Sequence, residues 1–202
     1  MSAAGKVCTG FSMPYVAKYS NAGSVISYSG AMQLARGVSV ALSLDTTDDN
    51  VFHADNVSAE TAAAIFTGGT ATLTVDGLLA AAEKFILGLP ETTKVTADGN
   101  QVDVSHYGDG MDIPYVGIGF VVRYQSAGVV TYAPVVLTKA RFQQPGLDAA
   151  TQEESIDWQT QELTATLMRD DTTSHDWKLV GADQSTEDAA VEVLKAILGG
   201  AA

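Results

Sequence analysis

The alternation of apolar and polar residues is clearest between positions 113 and 169. Residues 113–125 and 129–142 are rich in β-branched and aromatic side chains, and a Ser-Ala-Gly segment separates them. Two such runs on either side of a short Gly-containing loop predict a β-hairpin. Residues 161–169 alternate strictly, with Leu163, Ala165 and Leu167 on one face. This period of two predicts a third, half-buried strand.

Shorter patterns predict the remaining elements. We expect strands at 25–30, 36–44, 70–75 and 175–180, a minor hairpin at 93–104, a helical turn at 58–66, and helices at 78–87 and 189–198. Asp76 and Ser185 stand where helix caps belong, and Gly88 ends the first helix. Residues 1–24 contain aromatic side chains and turn residues, which indicates an extended N-terminal arm with a short strand. The pattern predicts one sheet-rich domain over residues 1–202.

Composition and charge exclude several classes of function. Hydrophobic residues make up 46% of the 202 positions and charged residues 17%, which is typical of a packed globular chain. The net charge is −13, the wrong sign for binding nucleic acid or an anionic membrane. Cys8 is the only cysteine, so an internal disulfide is impossible and a reducing cytosol is expected. Packing is a better interpretation of Cys8 than nucleophilic chemistry.

No catalytic or metal-binding constellation is evident in the sequence. The three histidines show none of the spacings of zinc sites, and no phosphate-binding or nucleophile motif occurs. Ser174, His175 and Asp176 are neighbours, which on a strand would point to alternating faces rather than converge. Gly117-Ile118-Gly119 lies inside a predicted strand and indicates a bulge or a close backbone approach. We therefore expect no enzyme activity, no cofactor and no metal.

An acidic segment, residues 45–57, interrupts the predicted sheet. Its aspartates disfavour a sheet ladder, yet it contains Val51 and Phe52. One interpretation is a protruding loop that docks these two residues on another subunit. The alternatives are a loop folded back on its own core and, last, a calcium site, for which the EF-hand spacing is absent.

Several segments, taken in their order along the chain, resemble the major tail tube protein of long, non-contractile phage tails. They are ARGVSVALSLDTTDDNVF, GTATLTVDGLLAAAEKFILG, IPYVGIGFVVRY, YAPVVLTKARFQQP and EESIDWQTQELTATLMR with a closing HDWKL, and the resemblance covers roughly residues 7–180. It implies a mainly β fold, a β-sandwich or barrel with one flanking α-helix, followed here by a C-terminal helix at 185–198. Subunits of this family close into hexameric rings, which stack into a tube.

The resemblance also implies partners and residue roles. The partners would be other copies of the chain, a tape-measure protein and genome DNA passing transiently through the lumen, in a virion tail assembled in the bacterial cytoplasm. Six copies would carry a net charge of 6 × −13, or −78, which repels DNA rather than holding it. Asp48, Asp49, Val51 and Phe52 are the candidate inter-ring contacts. The candidate core residues that hold the ring geometry are Val38, Val40, Leu42, Leu73, Val75, Phe120, Val136, Leu163 and Leu167.

Two other classes of protein stay open. The chain could be another self-assembling β module, such as the tube of a contractile device or a tail-terminator ring. It could also be an adhesive or ligand-binding β-sandwich, which would be a stable monomer with an exposed aromatic patch.

Overall fold

The computed structural model describes residues 5–48, 50–54, 57–147, 149–151 and 158–200; for 50–54 and 57–62 it describes the backbone. The fold is mostly β, with two helices, as predicted. The strands of the main sheet are β1 (Val7–Ala22), β2 (Val25–Gln33), β3 (Gly37–Thr46), β6 (Phe66–Val75), β9 (Val116–Ser126), β10 (Val129–Phe142), β11 (Gln161–Met168) and β12 (Lys178–Val180). Two separate hairpins are β4–β5 (Asn50–Ala54, Val57–Ala62) and β7–β8 (Thr93–Ala97, Asn100–Val104). The helices are α1 (Ala80–Leu87) and α2 (Glu187–Ile197).

The main sheet is antiparallel, with the strand order β2-β1-β9-β10-β11-β6-β3. The predicted hairpin of residues 113–142 is confirmed as β9–β10, at the centre of this order. β12 pairs with β10 beyond the end of β11, so both strands share one side of β10. The sheet is curled, and this brings the ring of Phe11 in β1 against Gly37 at the start of β3, although the two strands are not neighbours in the strand order.

A hydrophobic core lies on each face of the sheet. The larger core holds Leu73, Ile118, Phe120 and Leu163 together with the buried side of α1. The smaller core lies on the opposite face, where α2 packs Val191 and Leu194 against Val121 and Val136. Successive side chains of β9 therefore point alternately into the two cores, as expected for a central strand with both faces covered.

The glycines of β9 let α2 approach the sheet closely. A Cβ on Gly119 would lie 2.9 Å from Cγ of Leu194, and one on Gly117 would lie 2.6 Å from the ring of Tyr28. These distances are shorter than a packed core allows, so a larger residue would force α2 outward. The prediction for residues 117–119 was a bulge or a close backbone approach, and the structure shows a close approach to these glycines by the side chains of Tyr28 and Leu194.

Several local predictions are wrong. Residues 1–24 were expected to contain a short strand, yet β1 has 16 residues and pairs with both β2 and β9. The predicted helical turn at 58–66 is replaced by strand β5. Asp76 does not cap α1, which begins after Leu79; instead its carboxylate accepts hydrogen bonds from the backbone N–H and the guanidinium of Arg36. The closing strand is shorter than predicted and begins only at Lys178.

Most of the predicted core residues are buried. Leu73, Val75, Phe120, Val136, Leu163 and Leu167 are buried, and Val40 and Leu42 pack against the larger core while staying partly exposed. Val38 was wrongly assigned, because 54% of it is exposed. The pairing of β3 with β6 shifts between Gly37 and Ser39, which makes Val38 the extra residue of a bulge and turns it out of the alternation.

Candidate functional site

The outer edge of β3 has no partner strand in the part of the chain that the structure describes. β3 pairs with β6 through Gly37–Thr46 and ends the strand order. Among its ten residues only Asp45 is charged, and no proline interrupts it. Monomeric proteins usually protect such an edge with charges, prolines or a covering segment, since its free N–H and C=O groups can pair with another chain. From Ser39 to Asp45 the register is regular, so the edge is a continuous template.

β2 stands at the other end of the strand order. Among the described residues it pairs with β1 alone and carries no charged side chain along Val25–Gln33, while Gly199 and Gly200 after α2 lie against its Tyr28 and Ala31. The two edges differ in sequence and in their neighbours. They are therefore suited to head-to-tail contacts between copies rather than to a two-fold dimer.

An apolar cleft of about 240 Å³ opens beside β3. Val40 and Leu42 form one wall, and the opposite wall comes from the larger core and its rim: Phe120, Val122, Tyr124, Val135, Lys178 and Val180. Val180 is 58% exposed, although it belongs to the sheet. The larger core is thus incompletely covered along this side, next to the free edge.

The β7–β8 hairpin has one apolar face and one polar face, and both face solvent. Cross-strand pairs place Val95 opposite Val102 and Thr93 opposite Val104. The exposed fraction is 51% for Val95, 50% for Val102 and 38% for Val104. The opposite face carries Lys94, Thr96, Gln101 and Asp103. Period-two patterning of this kind is typical of a strand with one face buried, yet these valines belong to neither hydrophobic core of the described chain.

The predicted contact loop at 45–57 is in large part a hairpin. Asp45 still belongs to β3, Asp48 is exposed, and Asp49 lies outside the described residues. Val51 and Phe52 lie in β4, where they pair with Thr61 and Glu60 of β5. Val51 and Phe52 therefore lie in a two-stranded hairpin that follows β3, and the contact role of all four candidate residues stays a prediction.

The most connected polar cluster joins β1 and β10 to the turn after β11. The hydroxyl of Tyr19 donates to Oδ2 of Asp171 at 2.7 Å, and Nζ of Lys139 donates to the same oxygen at 2.8 Å. Burial raises the pKa of Tyr19 to about 12, and the hydrogen bond to Asp171 adds to the rise. The Lys139 ammonium, followed by Tyr19, holds the pKa of Asp171 below its usual value. Both shifts favour a protonated Tyr19 hydroxyl and an ionised Asp171 carboxylate, which are the forms that make these hydrogen bonds. The cluster therefore links β1, β10 and the turn after β11.

The neighbouring Ser174, His175 and Asp176 do not form a catalytic triad. Oγ of Ser174 donates directly to Oδ2 of Asp176 at 2.8 Å, and the His175 ring lies 3.3 Å from the carbonyl oxygen of Asp170. All three residues lie in the turn before β12, so the assumption that they occupy a strand was wrong. Within the described ranges, no group of three or more His, Cys, Asp or Glu side chains could hold a metal ion.

Comparisons with known proteins do not assign the chain to a family. No family model matches it, and a search of curated proteins finds no match. In the described part of the chain, no helix is long and apolar enough to cross a membrane.

The structure brings together some of the predicted residues and adds others. Val40, Leu42 and Phe120 were predicted as core and meet at the cleft. Sequence reasoning missed Val122, Val180 and the valine face of β7–β8. The hairpin at 93–104 was predicted, and the alternation of Val102, Asp103 and Val104 was a readable signal for its apolar face. The exposure of Val180 had no such signal in the sequence.

Proposed function

We propose that this chain is a structural protein that self-assembles into stacked hexameric rings of a phage-type tail tube. The observation that carries the proposal is the unprotected edge of β3 beside the open apolar cleft. A second copy that pairs with this edge would satisfy its backbone groups and cover the cleft in one step. The hexameric ring and the stacked tube enter the proposal from the resemblance of the sequence to tail tube proteins.

The charge of the chain supports the same proposal. A net charge of −13 per copy repels phosphate, so a tube built from such copies would let DNA pass without retaining it. A tape-measure protein would occupy the lumen before DNA does, as the family resemblance implies. No turnover and no cofactor are part of this function.

Electron microscopy of the purified protein, together with light scattering after size exclusion, tests the proposal. We expect tubes of stacked rings, or single rings whose mass is six times that of the chain. Isolated rings that never stack would favour the terminator-type module. A monomer that persists at high concentration would overturn the proposal and favour the adhesive β-sandwich.

A matched pair of variants tests the role of the β3 edge. Ala41 and Ser43 are exposed on β3, and each lies in one cross-sheet row with Thr164 or Thr166 of β11, two strands further in. We expect Ala41→Lys with Ser43→Lys to block assembly, because lysines on an edge strand disfavour pairing. Thr164→Lys with Thr166→Lys adds the same charge on the same face away from the edge and serves as the control. Equal assembly of both variants would contradict a contact at β3.

A further inference from the structure

We propose that the β7–β8 hairpin of one copy adds to the free edge of β3 in the next copy and places its valines over the apolar cleft there. This inference rests on the proposed function and deepens it, because it names the segment that completes the edge. The occupant is a second copy of this chain, and its contact surface is the face that carries Val95, Val102 and Val104.

The hairpin needs a partner for its own stability. It consists of two five-residue strands, and all ten residues are exposed. An isolated two-stranded hairpin is marginally stable in water, and a third strand or a packed surface is needed to hold it. In the structure, β7 and β8 pair with each other and with no other named strand of the described chain. Three exposed valines on one face indicate where that partner packs.

The β3 edge and the cleft match the hairpin in pattern and spacing. Val102 and Val104 are two residues apart on β8, as Val40 and Leu42 are on β3, and residues so spaced in a strand lie about 7 Å apart on one face. A strand that pairs with β3 therefore sets alternate side chains in line with Val40 and Leu42, over the cleft. Main-chain hydrogen bonds would supply affinity, and the valines in the cleft would supply register.

The polar face of the hairpin and the outer face of β3 are also compatible with this contact. With the valines turned to the cleft, the polar face of the hairpin, with Lys94, Gln101 and Asp103, continues the outer face of β3. That outer face carries Ser39, Ala41 and Ser43, which are small, uncharged and exposed. The hairpin brings no charged side chain into the cleft, and the charge at its rim is Lys178, whose ammonium lies over the ring of Trp177. A long side chain of this kind can keep its charged end in water while its stem is covered.

A second copy is the natural occupant because one chain presents both surfaces. The hairpin and the β3 edge are different patches, so their contact is heterologous and leaves one of each free on every pair of subunits. Such a contact adds further copies and closes into a ring where its rotation permits closure, as the proposed function requires. A partner of another kind would satisfy the edge once and end the assembly.

Two cross-strand pairs of the hairpin allow a matched test. Val95 and Val102 pair on the apolar face, and Thr96 and Gln101 pair on the polar face one position away. We expect Val95→Lys with Val102→Lys to raise the concentration needed for half-assembly at least tenfold, as measured by sedimentation velocity. Thr96→Lys with Gln101→Lys adds the same charge to the same hairpin and should leave that concentration unchanged. Neither pair contributes to the two cores, so below the concentration of assembly the melting temperatures of both variants should equal that of the wild type.

A mixed-disulfide experiment checks the contact directly. In a background with Cys8→Ser, one preparation carries Val102→Cys and another carries Leu42→Cys. Oxidation of the mixture should yield a covalent dimer that contains one chain of each kind. If the wild type assembles but the valine variant assembles equally well and no mixed dimer forms, the inference is overturned while the proposed function stands. If the wild type stays monomeric, the proposed function falls and the inference falls with it.

Discussion

Tyr19 shows how one side chain ties distant parts of the chain together. Its ring lies edge-on to Tyr28 with centroids 5.8 Å apart, and Lys139 lies 5.1 Å from its centroid. Its hydroxyl also accepts a hydrogen bond from the backbone N–H of Asp171 at 3.0 Å. Ionisation of Tyr19 is opposed first by burial, then by loss of the hydrogen bond that it donates to Asp171 and by the negative charge of that carboxylate, whereas the N–H from which it accepts favours the phenolate. The opposing causes prevail, and the pKa of Tyr19 is raised to about 12.

We expect Tyr19→Phe to change the pH dependence of stability. In the unfolded chain Tyr19 ionises near pH 10, whereas in the folded chain it keeps its proton until about pH 12. The unfolded state therefore binds fewer protons in this window, and the free energy of unfolding of the wild type falls as pH rises through it. The variant lacks this term, so its alkaline decline should be shallower, although it starts about 1 kcal/mol lower near neutral pH because the hydrogen bond is lost.

Urea unfolding at a series of pH values between neutral and about pH 12 measures this difference. Tyr28 remains in both proteins, and since the charge of Tyr19 adds to the rise in the pKa of Tyr28, the difference between the two curves reports Tyr19 together with this coupling. Curves that run parallel above about pH 10 would contradict the role assigned to its ionisation.

At the scale of elements, one side chain before α2 caps the start of this helix. Its N-cap is Thr186, whose hydroxyl accepts from the backbone N–H of Ala189 at 3.3 Å. Ser185, the predicted cap, lies one residue outside the helix. Because α2 covers the glycine face of β9, a weakened start to the helix loosens the smaller core as well.

We expect Thr186→Ala to lower the free energy of unfolding by about 1 kcal/mol, the usual effect of removing an N-cap side chain. Ser185→Ala removes a hydroxyl from the adjacent position and should cost much less. Chemical denaturation of the two variants side by side measures the difference. A larger loss for Ser185→Ala would show that the sequence-based cap is the functional one.

The elements differ in how well the sequence predicts them, and the reasons are physical. β9, β10 and β11 carry strong β-branched or alternating patterns, and their buried residues were predicted. β1 was underestimated because its residues are mixed in character, yet it gains two partner strands. β5 was mistaken for a helical turn because alanine and glutamate favour helices locally, and pairing with β4 overrides that preference. The bulge at Val38 arises from strand register, which local alternation does not encode.

The candidate site was predicted only in part for a similar reason. Sequence alternation identified Val40 and Leu42 as inward-facing, which is correct. Their position beside a free edge depends on the order of strands in the sheet, and that order joins residues far apart in sequence. The edge of β3 is free because β6 pairs with one side of it and no described strand is hydrogen-bonded to the other, where β1 approaches near Gly37.

At the scale of the whole molecule, assembly must overcome repulsion between like-charged copies. Each copy carries a net charge of −13, while the proposed contact joins backbone groups and valines with no charged pair in it. Attraction in such a contact is short-ranged and insensitive to salt, whereas the repulsion is long-ranged and screened by it. The Debye length falls from about 30 Å at 0.01 M salt to about 8 Å at 0.15 M.

We therefore expect added salt to promote assembly. Between roughly 0.01 and 0.15 M sodium chloride, the concentration needed for half-assembly should fall at least about tenfold, which corresponds to about 1.4 kcal/mol per subunit. Light scattering across a dilution series at each salt concentration measures it. The variant Val95→Lys with Val102→Lys should gain less from salt, since it carries less negative charge and a defective contact. Assembly that weakens as salt rises would mean that oppositely charged side chains hold the copies together, and a contact built from the edge of β3 and the valine face of β7–β8 could not then be the dominant one.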